Sequence, residues 1–327
     1  MPYIKNQFIM KINKSSKIFI AGHLGMVGSA CWRILEKNGY KNLIGKSSKE
    51  LDLKNQNDVK LFFNSEKPQI VINAAAVVGG IMANNIYPYK FLMDNMLMQN
   101  NLIQMSLEND VEKFIFLGSS CIYPKFSEQP IKEKSLLSGY LEPTNEPYAV
   151  AKISAVKLCE YIKKQFSKDF ISLLPTNLFG PNDNFDLETS HVLPALIRKF
   201  HDAKINNSNV NLWGSGSPLR EFLHVDDLAS AVLFSIENVL PDSFYNIGYG
   251  KDIRIDELAK LVQNIVKHKG LIYWDHLKPD GTPKKLLDSN KFNSLGWNPK
   301  ITLETGISET YSWFLDNLGE YKSKNFE

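Results

Sequence analysis

The stretch KIFIAGHLGMVGSACWRILEK, residues 17–37, decides the fold of this chain. Its first part, KIFIAG, is a short run of β-branched and aromatic residues that ends in a glycine, and it predicts a buried strand. From residue 26 onward the apolar positions follow helical spacing through Val27, Ala30 and Ile34. The sequence therefore predicts a strand, a glycine-rich turn and a helix in direct succession.

Gly22, Gly25 and Gly28 occupy the predicted turn. Glycine lets the backbone approach a pyrophosphate closely, and the N–H groups of the first helical turn attract its negative charge. Three glycines would also suit a tight turn with close helix packing, but the strand and helix around them favour a dinucleotide site. Met26 and Val27, which open the helix, belong to the same predicted cofactor site.

Outside this unit, strands alternate with helices along the first half of the chain. This alternation predicts a parallel sheet with helices on both faces, a Rossmann-type doubly wound α/β fold. Strands are predicted within 42–45, 69–76, 113–120 and 169–180, and helices over 56–66, 91–111 and 146–166.

After about residue 181 the pattern loosens into short elements, among them FYNIGYG at 244–250. We expect residues 16–180 to form a dinucleotide-binding domain and residues 181–327 to form mainly a smaller substrate-binding region, intertwined with the first. Residues 1–15 are predicted to be a flexible extension.

Composition excludes several classes of protein. The 327 residues are 43% hydrophobic, and 38 Lys and Arg against 35 Asp and Glu leave a net charge of only +3, which argues against a nucleic-acid surface. Cys31, Cys121 and Cys159 lie far apart without CxxC spacing, so a zinc site or disulfide framework is not indicated and a reducing cytoplasm is expected. The sequence has neither a signal-peptide pattern nor an apolar run of membrane-spanning length.

Tyr148 and Lys152 are four residues apart on a predicted helix, so both side chains lie on one face. A lysine cation beside a phenol favours the phenolate and is expected to lower its pKa from about 10, which suits a proton donor to a carbonyl undergoing reduction. This pair alone is common on helix surfaces. A hydroxyl of Ser119 or Ser120, at the end of a buried strand, favours the catalytic interpretation because it can bind the same carbonyl.

Several longer motifs carry a family resemblance from about residue 17 to about residue 315. They resemble the GDP-L-fucose synthases, extended short-chain dehydrogenases that act on a GDP-4-keto-6-deoxy-hexose. The resemblance implies that Ser119, Tyr148 and Lys152 reduce C4, while Cys121 and His191 exchange protons at C3 and C5. The motifs are AGHLGMVGS, GSSCIYP, EPTNEPYAVAK, PTNLFGPNDNF, SHVLPALIRKFH, WGSGSPLREFLHVDDLA and KPDGTPKKLLD.

The chemistry of Cys121 and His191 agrees with these implied roles. A 4-keto group acidifies the hydrogens on both neighbouring carbons, and a thiol with a reference pKa of about 8.5 can exchange such protons. Imidazole titrates near pH 7. The alternatives are a small buried hydrophobe for Cys121 and a solvent-facing or helix-capping side chain for His191.

The resemblance also implies contacts with the GDP-sugar. Lys199, Trp213, Arg220 and Asp280 match positions that hold the nucleotide and diphosphate, although solvated charges and a core tryptophan are alternatives. Asn177, together with Ser119 and Cys121, completes the predicted substrate site.

A metal-like group of residues, His224, Asp226 and Asp227, falls at a predicted helix start. Aspartates at that position cap free N–H groups, so no metal is expected.

Cofactor choice rests on the segment after the second strand. The family commonly carries arginines near Leu24 and Ser48 that bind the 2′-phosphate of NADP, and both are absent. The strand ending at Gly45 is followed by KSSK, with no acid at its tip to bind a ribose 2′-hydroxyl, so Lys46 and Lys49, with Ser47 and Ser48, are expected to favour NADPH over NADH. The other predicted cofactor contacts are Asp52, Ala74, Ala75, Ala76, Leu117, Gly118, Ser119, Tyr148, Lys152, Pro175, Asn177, Leu178 and His191.

The sequence thus predicts an NADPH-dependent reductase of the C4 ketone of a GDP-4-keto-6-deoxy sugar, with epimerisation at C3 and C5. One alternative is a dedicated C4 reductase of a GDP-4-keto-6-deoxy-heptose without net epimerisation. Another is a catalytically silent NADP-binding regulator, which would be expected to lack a member of the Ser, Tyr and Lys set. A homodimer is expected through the apolar helices around 88–108 and 147–166.

Overall fold

The computed structural model describes residues 12–278 and 280–319. The strands are β1 (Ile18–Ala21), β2 (Leu43–Ile44), β3 (Ile70–Asn73), β4 (Lys113–Leu117), β5 (Asp169–Pro175), β6 (Asn177–Phe179), β7 (Val210–Trp213), β8 (Leu219–His224), β9 (Phe244–Ile247), β10 (Asp252–Arg254), β11 (Ile272–Asp275) and β12 (Lys284–Lys285). The helices are α1 (Met26–Lys37), α2 (Gln56–Glu66), α3 (Ile81–Ile86), α4 (Pro88–Glu108), α5 (Glu146–Phe166), α6 (Val192–Ile205), α7 (Val225–Glu237), α8 (Ile255–Val266), α9 (Asn290–Asn293) and α10 (Leu303–Asp316).

The main sheet is parallel and six-stranded, in the order β2-β1-β3-β4-β5-β9. Alternate residues of each strand enter different cores: Ile18 and Ile20 pack with α1 and α7, whereas Phe19 and Ala21 pack with α2, α4 and α5. Because both faces are covered, these strands are predominantly apolar on both faces rather than alternating. The predicted doubly wound α/β fold is confirmed.

The smaller part of the molecule forms on the carboxyl side of this sheet. Strand β8 pairs with β6, β10 and β12, and β7 pairs with β11. A separate apolar core joins α6, α8 and α10. The carboxyl ends of the main strands therefore face a second layer of structure, which is where doubly wound sheets bind their ligands.

Three local differences from the sequence interpretation have physical reasons. The helix expected at 91–111 begins at Pro88, because proline suits the first helical turn. The strand expected within 169–180 is two strands, since β5 ends at Pro175 and β6, which begins after Thr176, joins β8. Residues 244–247, assigned to the C-terminal part, form the edge strand β9 of the main sheet.

The extension expected at residues 1–15 lies outside the described residues except for 12–15. Ile12 packs against the core, and Lys14 forms an ion pair with Glu237 at 2.5 Å. Over the described part of the chain, each helix is too short or too polar to cross a bilayer.

Candidate active site

The glycine turn joins the ends of β1 and β3 to the start of α1. Gly22 has a φ of +80°, and a Cβ there would lie 2.8 Å from the Ala75 amide nitrogen. A Cβ on Gly28 would lie 2.2 Å from the Gly22 carbonyl oxygen. Gly25 precedes α1, and within the described residues no side chain caps this helix, so its first N–H groups suit a pyrophosphate. The turn, with Met26 and Val27 in the first helical turn, fits a dinucleotide.

The segment after β2 contains an acidic side chain, although none was expected at the tip of this strand. Glu50 is exposed, and its carboxylate accepts hydrogen bonds from the Ser47 backbone N–H (2.8 Å) and hydroxyl (2.7 Å). Lys46 Nζ lies 3.7 Å from the other carboxylate oxygen. The sequence argument missed Glu50 because a turn at residues 48–50 folds it back onto this segment. Asp52 accepts the Lys54 N–H at 3.0 Å in the next turn.

The small residues after β3 and β4 are held by backbone hydrogen bonds. Ala74 N donates to Ala21 O at 3.0 Å, and Ala75 N donates to the buried Asn73 side chain at 3.2 Å. Ala76 follows them. Gly118 N donates to Leu173 O at 2.8 Å. These contacts bring predicted cofactor residues from β3 and β4 to the same edge of the sheet.

Ser119, Tyr148 and Lys152 meet beyond the end of β4. The Ser119 hydroxyl, not that of the buried Ser120, interacts with the Tyr148 phenol and lowers its pKa. Lys152 Nζ donates to the Leu117 carbonyl oxygen at 2.9 Å, and Tyr148 and Lys152 are both buried. The predicted spacing of four on α5 thus places the phenol and the ammonium within one site.

The pKa values of this group are dominated by burial. Burial raises the pKa of Tyr148 first, the Cys121 charge raises it further, and the Ser119 hydrogen bond lowers it. Burial also lowers the pKa of Lys152 to about 7. The expectation that the Lys152 cation lowers the Tyr148 pKa was wrong for this arrangement, because it left out the cost of burying both charges.

Cys121 lies beside this group in a 3₁₀ turn, Ser120–Ile122, that follows β4. Its N–H donates to the Ser119 hydroxyl at 3.2 Å, and its side chain packs with Phe91 and Tyr148. Lys285 Nζ is 3.6 Å from the Cys121 Sγ. The sequence interpretation did not identify Lys285, whose only signal was its place in KPDGTPKKLLD.

His191 is exposed and immediately precedes α6. The loop before it is fixed to the segment that follows β3, since Gly80 N donates to Thr189 O at 3.0 Å. Val77 and Val78 in that segment pack in the cluster that contains Tyr148 and Cys121. The fold therefore holds the His191 loop against the same cluster.

The predicted nucleotide contacts form a second group. Lys199 Nζ lies 5.6 Å from the centre of the Trp213 ring, which is 59% exposed. Asp280 accepts two hydrogen bonds from Ser215. Burial lowers the pKa of the half-buried Arg220, and the charge of Asp280 raises it by less. An exposed indole beside cations is suited to a base and its phosphates.

Other predicted residues have structural partners. Asn177 Nδ2 donates to the Glu221 carbonyl oxygen at 2.7 Å, Pro175 ends β5, and Leu178 packs against the core.

At the start of α7, His224 rather than an aspartate caps the helix, because its Nδ1 accepts the Asp226 N–H. Asp227 instead accepts the N–H groups of Lys300 and Ile301. Among the described residues no cluster of potential metal ligands is found.

Comparison with known proteins identifies the class. The chain belongs to the NAD dependent epimerase/dehydratase family, whose profile matches residues 18–248. GDP-L-fucose synthase 1 of Arabidopsis thaliana is 55% identical to it over 307 residues, covering 94% of this chain and 95% of that protein.

Two solved structures are also similar. A GDP-6-OMe-4-keto-L-xylo-heptose reductase from Campylobacter jejuni has a TM-score of 0.89 and 37% identity, covering 94% of this chain and 99% of that one. A GDP-L-fucose synthetase from Naegleria fowleri bound to NADP has a TM-score of 0.88 and 30% identity, covering 95% and 98%.

The low pKa of Lys152 predicts a pH-dependent stability. The pKa of Lys152 in the folded protein, about 7, lies below its value in the unfolded chain, near 10.4. Between these two pH values the unfolded chain binds more protons, so the contribution of Lys152 to stability rises with pH. We expect Lys152→Met to raise the melting temperature most at pH 6–7 and less at pH 9. The corresponding gain in the free energy of unfolding should be up to a few kcal/mol, at roughly 1.4 kcal/mol per pKa unit. Calorimetry with the exposed Lys164→Met as control measures this, and a pH-independent difference would contradict it.

Proposed function

We propose that this protein reduces the C4 ketone of a GDP-4-keto-6-deoxy sugar with NADPH and also epimerises C3 and C5. The observation that carries this proposal is that Ser119, Tyr148 and Lys152 meet beyond the end of β4, with Cys121 packed against the cluster that contains Tyr148. A proton donor for a ketone and a thiol for the neighbouring carbon thus share one site.

The residues have distinct roles in this proposal. Ser119 donates a hydrogen bond to the C4 oxygen, Tyr148 gives this oxygen a proton, and Lys152 supports Tyr148 and binds the ribose. The nicotinamide supplies the hydride when the cofactor is bound. Because the Tyr148 pKa is high, the phenol carries its proton at neutral pH and is ready to donate it.

Epimerisation needs a base and an acid on opposite faces of the sugar. Cys121 removes a proton from a carbon beside the ketone: the C–H bond breaks, an S–H bond forms, and the electron pair moves onto the C4 oxygen. His191 returns a proton from the other face. The relative from Arabidopsis thaliana, named a GDP-L-fucose synthase, supports this function.

The heptose reductase of similar fold favours a second candidate, a C4 reductase without net epimerisation. One further hydroxymethyl group on the sugar changes only the shape required of the pocket, and Ser119, Tyr148 and Lys152 act identically in both functions. A silent regulator is disfavoured because this set is complete.

A crossed experiment separates the two half-reactions. In D₂O without NADPH, the wild-type protein should introduce deuterium at C3 and C5 of its GDP-4-keto sugar, as measured by NMR. Tyr148→Phe should keep this exchange and lose C4 reduction by a factor on the order of a hundred or more. Cys121→Ser should lose the exchange and keep most of the reduction of a pre-epimerised sugar, since a hydroxyl is far less acidic than a thiol.

Near-normal NADPH oxidation by Tyr148→Phe would disprove the reductase assignment. Rapid reduction by a wild-type protein that takes up no deuterium at either carbon would disprove the epimerase assignment and make the heptose reductase the better candidate.

The cofactor is proposed to be NADP(H), bound at its 2′-phosphate by Lys46, Lys49, Ser47 and Ser48. Glu50 competes with the phosphate for Lys46 and Ser47. A carboxylate also repels a phosphate, so Glu50 should weaken NADPH binding without excluding it.

Fluorescence titration of NADPH and NADH tests this assignment. Glu50→Gln should tighten NADPH binding severalfold and leave NADH unaffected, whereas Lys46→Ala with Lys49→Ala should weaken NADPH more than NADH, because only NADPH carries the 2′-phosphate. Glu36→Gln, another exposed carboxylate, serves as control. Equal changes for both cofactors would show that these side chains do not contact the 2′ position.

Residues 16–180 are proposed to bind the cofactor and residues 181–327 mainly the substrate. A cytoplasmic location is proposed because Cys31, Cys121 and Cys159 carry free thiols.

A homodimer is proposed through α4 and α5, which pack side by side and expose apolar side chains. Leu97 and Leu158 are 40% and 38% exposed, and Met93, Val150 and Tyr161 extend the same apolar surface. Light scattering should give twice the chain mass for the wild type and one chain mass for the double variant Leu97→Glu, Leu158→Glu. The exposed Leu271→Glu is the control, and a dimeric double variant would place the interface elsewhere.

A further inference from the structure

Lys285 contacts the proposed epimerase thiol from a distant part of the sequence. Its Nζ lies 3.6 Å from the Cys121 Sγ, although the two residues are 164 positions apart in the chain. Both side chains are partly buried. An ammonium at this distance from a sulfur favours the thiolate over the thiol, because the attraction exists only when the sulfur is charged.

The backbone around Lys285 is held from both sides. Lys285 pairs with Arg220 in the parallel register of β12 and β8. The next two residues are also bonded, since Leu286 N donates to the Gln129 side chain at 2.8 Å and Leu287 N to the Glu221 carboxylate at 3.0 Å. The backbone from which the Lys285 side chain extends is therefore held beside the Cys121 loop by strand pairing and hydrogen bonds.

The neighbouring charges have other partners. Lys284 pairs with Asp252 at 3.2 Å, and Lys125 pairs with Glu142 at 3.7 Å. For Lys285, no Asp or Glu of the described residues lies within ion-pairing distance. On the side of α5, Cys121 faces the Tyr148 phenol, which is neutral near pH 7 because burial raises its pKa. Unlike Lys284 and Lys125, Lys285 thus has no acidic partner among the described residues, and a thiolate at Cys121 can balance its charge.

A small cavity of about 50 Å³ opens beside this pair and is lined by Cys121, Lys285, Gln129, Lys125 and Glu142. Its lining is partly polar, and its volume suffices for water. Water there can carry a proton between Cys121 and solvent, and the exchange of a proton at carbon requires such a route.

We propose that the Lys285 ammonium stabilises the thiolate of Cys121 and thereby makes this residue the base of the epimerisation, an inference that rests on the proposed function. Lys285 is a positioning residue in this scheme: it does not accept the proton but keeps the sulfur ready to accept it. When Cys121 takes the proton from carbon, Lys285 keeps its charge, and the proton then leaves the sulfur to solvent.

The thiol itself provides a readout that needs no sugar. Cys31 and Cys159 are fully buried, so iodoacetamide should modify Cys121, with the site verified by peptide mass spectrometry. The alkylation rate against pH reports the apparent pKa of the thiol. An opposite charge within about 4–6 Å favours the charged form, so Lys285→Met should slow alkylation at pH 7 severalfold and leave the rate at high pH nearly unchanged.

Matched variants separate charge from structure. Lys285→Arg keeps the charge and should keep most of the wild-type profile, while Lys284→Met, the adjacent lysine paired to Asp252, should leave the profile in place. Lys285→Gln repeats the neutralisation with a polar side chain if the Met variant fails to fold, and NADPH fluorescence verifies the folded state of each variant. Identical profiles for the wild type and the neutral variants would overturn the proposal.

Deuterium uptake by the sugar then distinguishes this inference from the proposed function. Under the proposal, uptake at pH 7 falls about tenfold or more in Lys285→Met and recovers as the pH rises. A Lys285-dependent alkylation profile in a protein without deuterium uptake would support the ion pair and disprove the epimerase function. Deuterium uptake with an unchanged alkylation profile in Lys285→Met would support the epimerase function and disprove the ion pair.

Discussion

The contact between Gly28 and the Gly22 carbonyl is the constraint on which the rest of the structure depends. A Cβ at residue 28 would lie only 2.2 Å from that carbonyl oxygen, so α1 can start directly over the turn only because residue 28 is glycine. The same turn lies against Ala74 and Ala75. Through these approaches the ends of β1 and β3 and the N-terminus of α1 converge, and their backbone N–H groups create an edge of the sheet that is suited to an anion.

A buried carboxylate connects the main sheet with the smaller part of the molecule. The side chain of Glu221 is fully buried and accepts the N–H groups of Gly250 (2.7 Å) and Leu287 (3.0 Å). Its own carbonyl accepts the Asn177 amide, which starts β6. Burial raises the Glu221 pKa, while the backbone hydrogen bonds lower it. Glu221 thus holds the segment that follows β12 and Lys285 close to β6.

Burial gives each ionisable group of the site a different role. Tyr148 retains its proton, and Lys152 titrates near neutrality because its ammonium is desolvated. Cys121, only partly buried, lies between this phenol and the Lys285 cation. Groups whose environments differ in this way can serve as acid and base in one site. The exposed Trp213 and the partly buried Lys199, by contrast, provide a surface suited to a nucleotide.

The sequence by itself determined the local units: the turn at Gly22, the apolar strands of a two-sided parallel sheet, and the Tyr148–Lys152 spacing on α5. These follow from short-range periodicity and from backbone freedom at glycine, which are readable along the chain. Only the tertiary structure decided which charges meet. Lys285 reaches Cys121 across 164 residues, Glu50 folds back onto Lys46, and residues 244–247 return to the edge of the first sheet. Desolvation of Tyr148 and Lys152 likewise depends on what packs around them, because burial is a property of the whole fold and not of residue spacing.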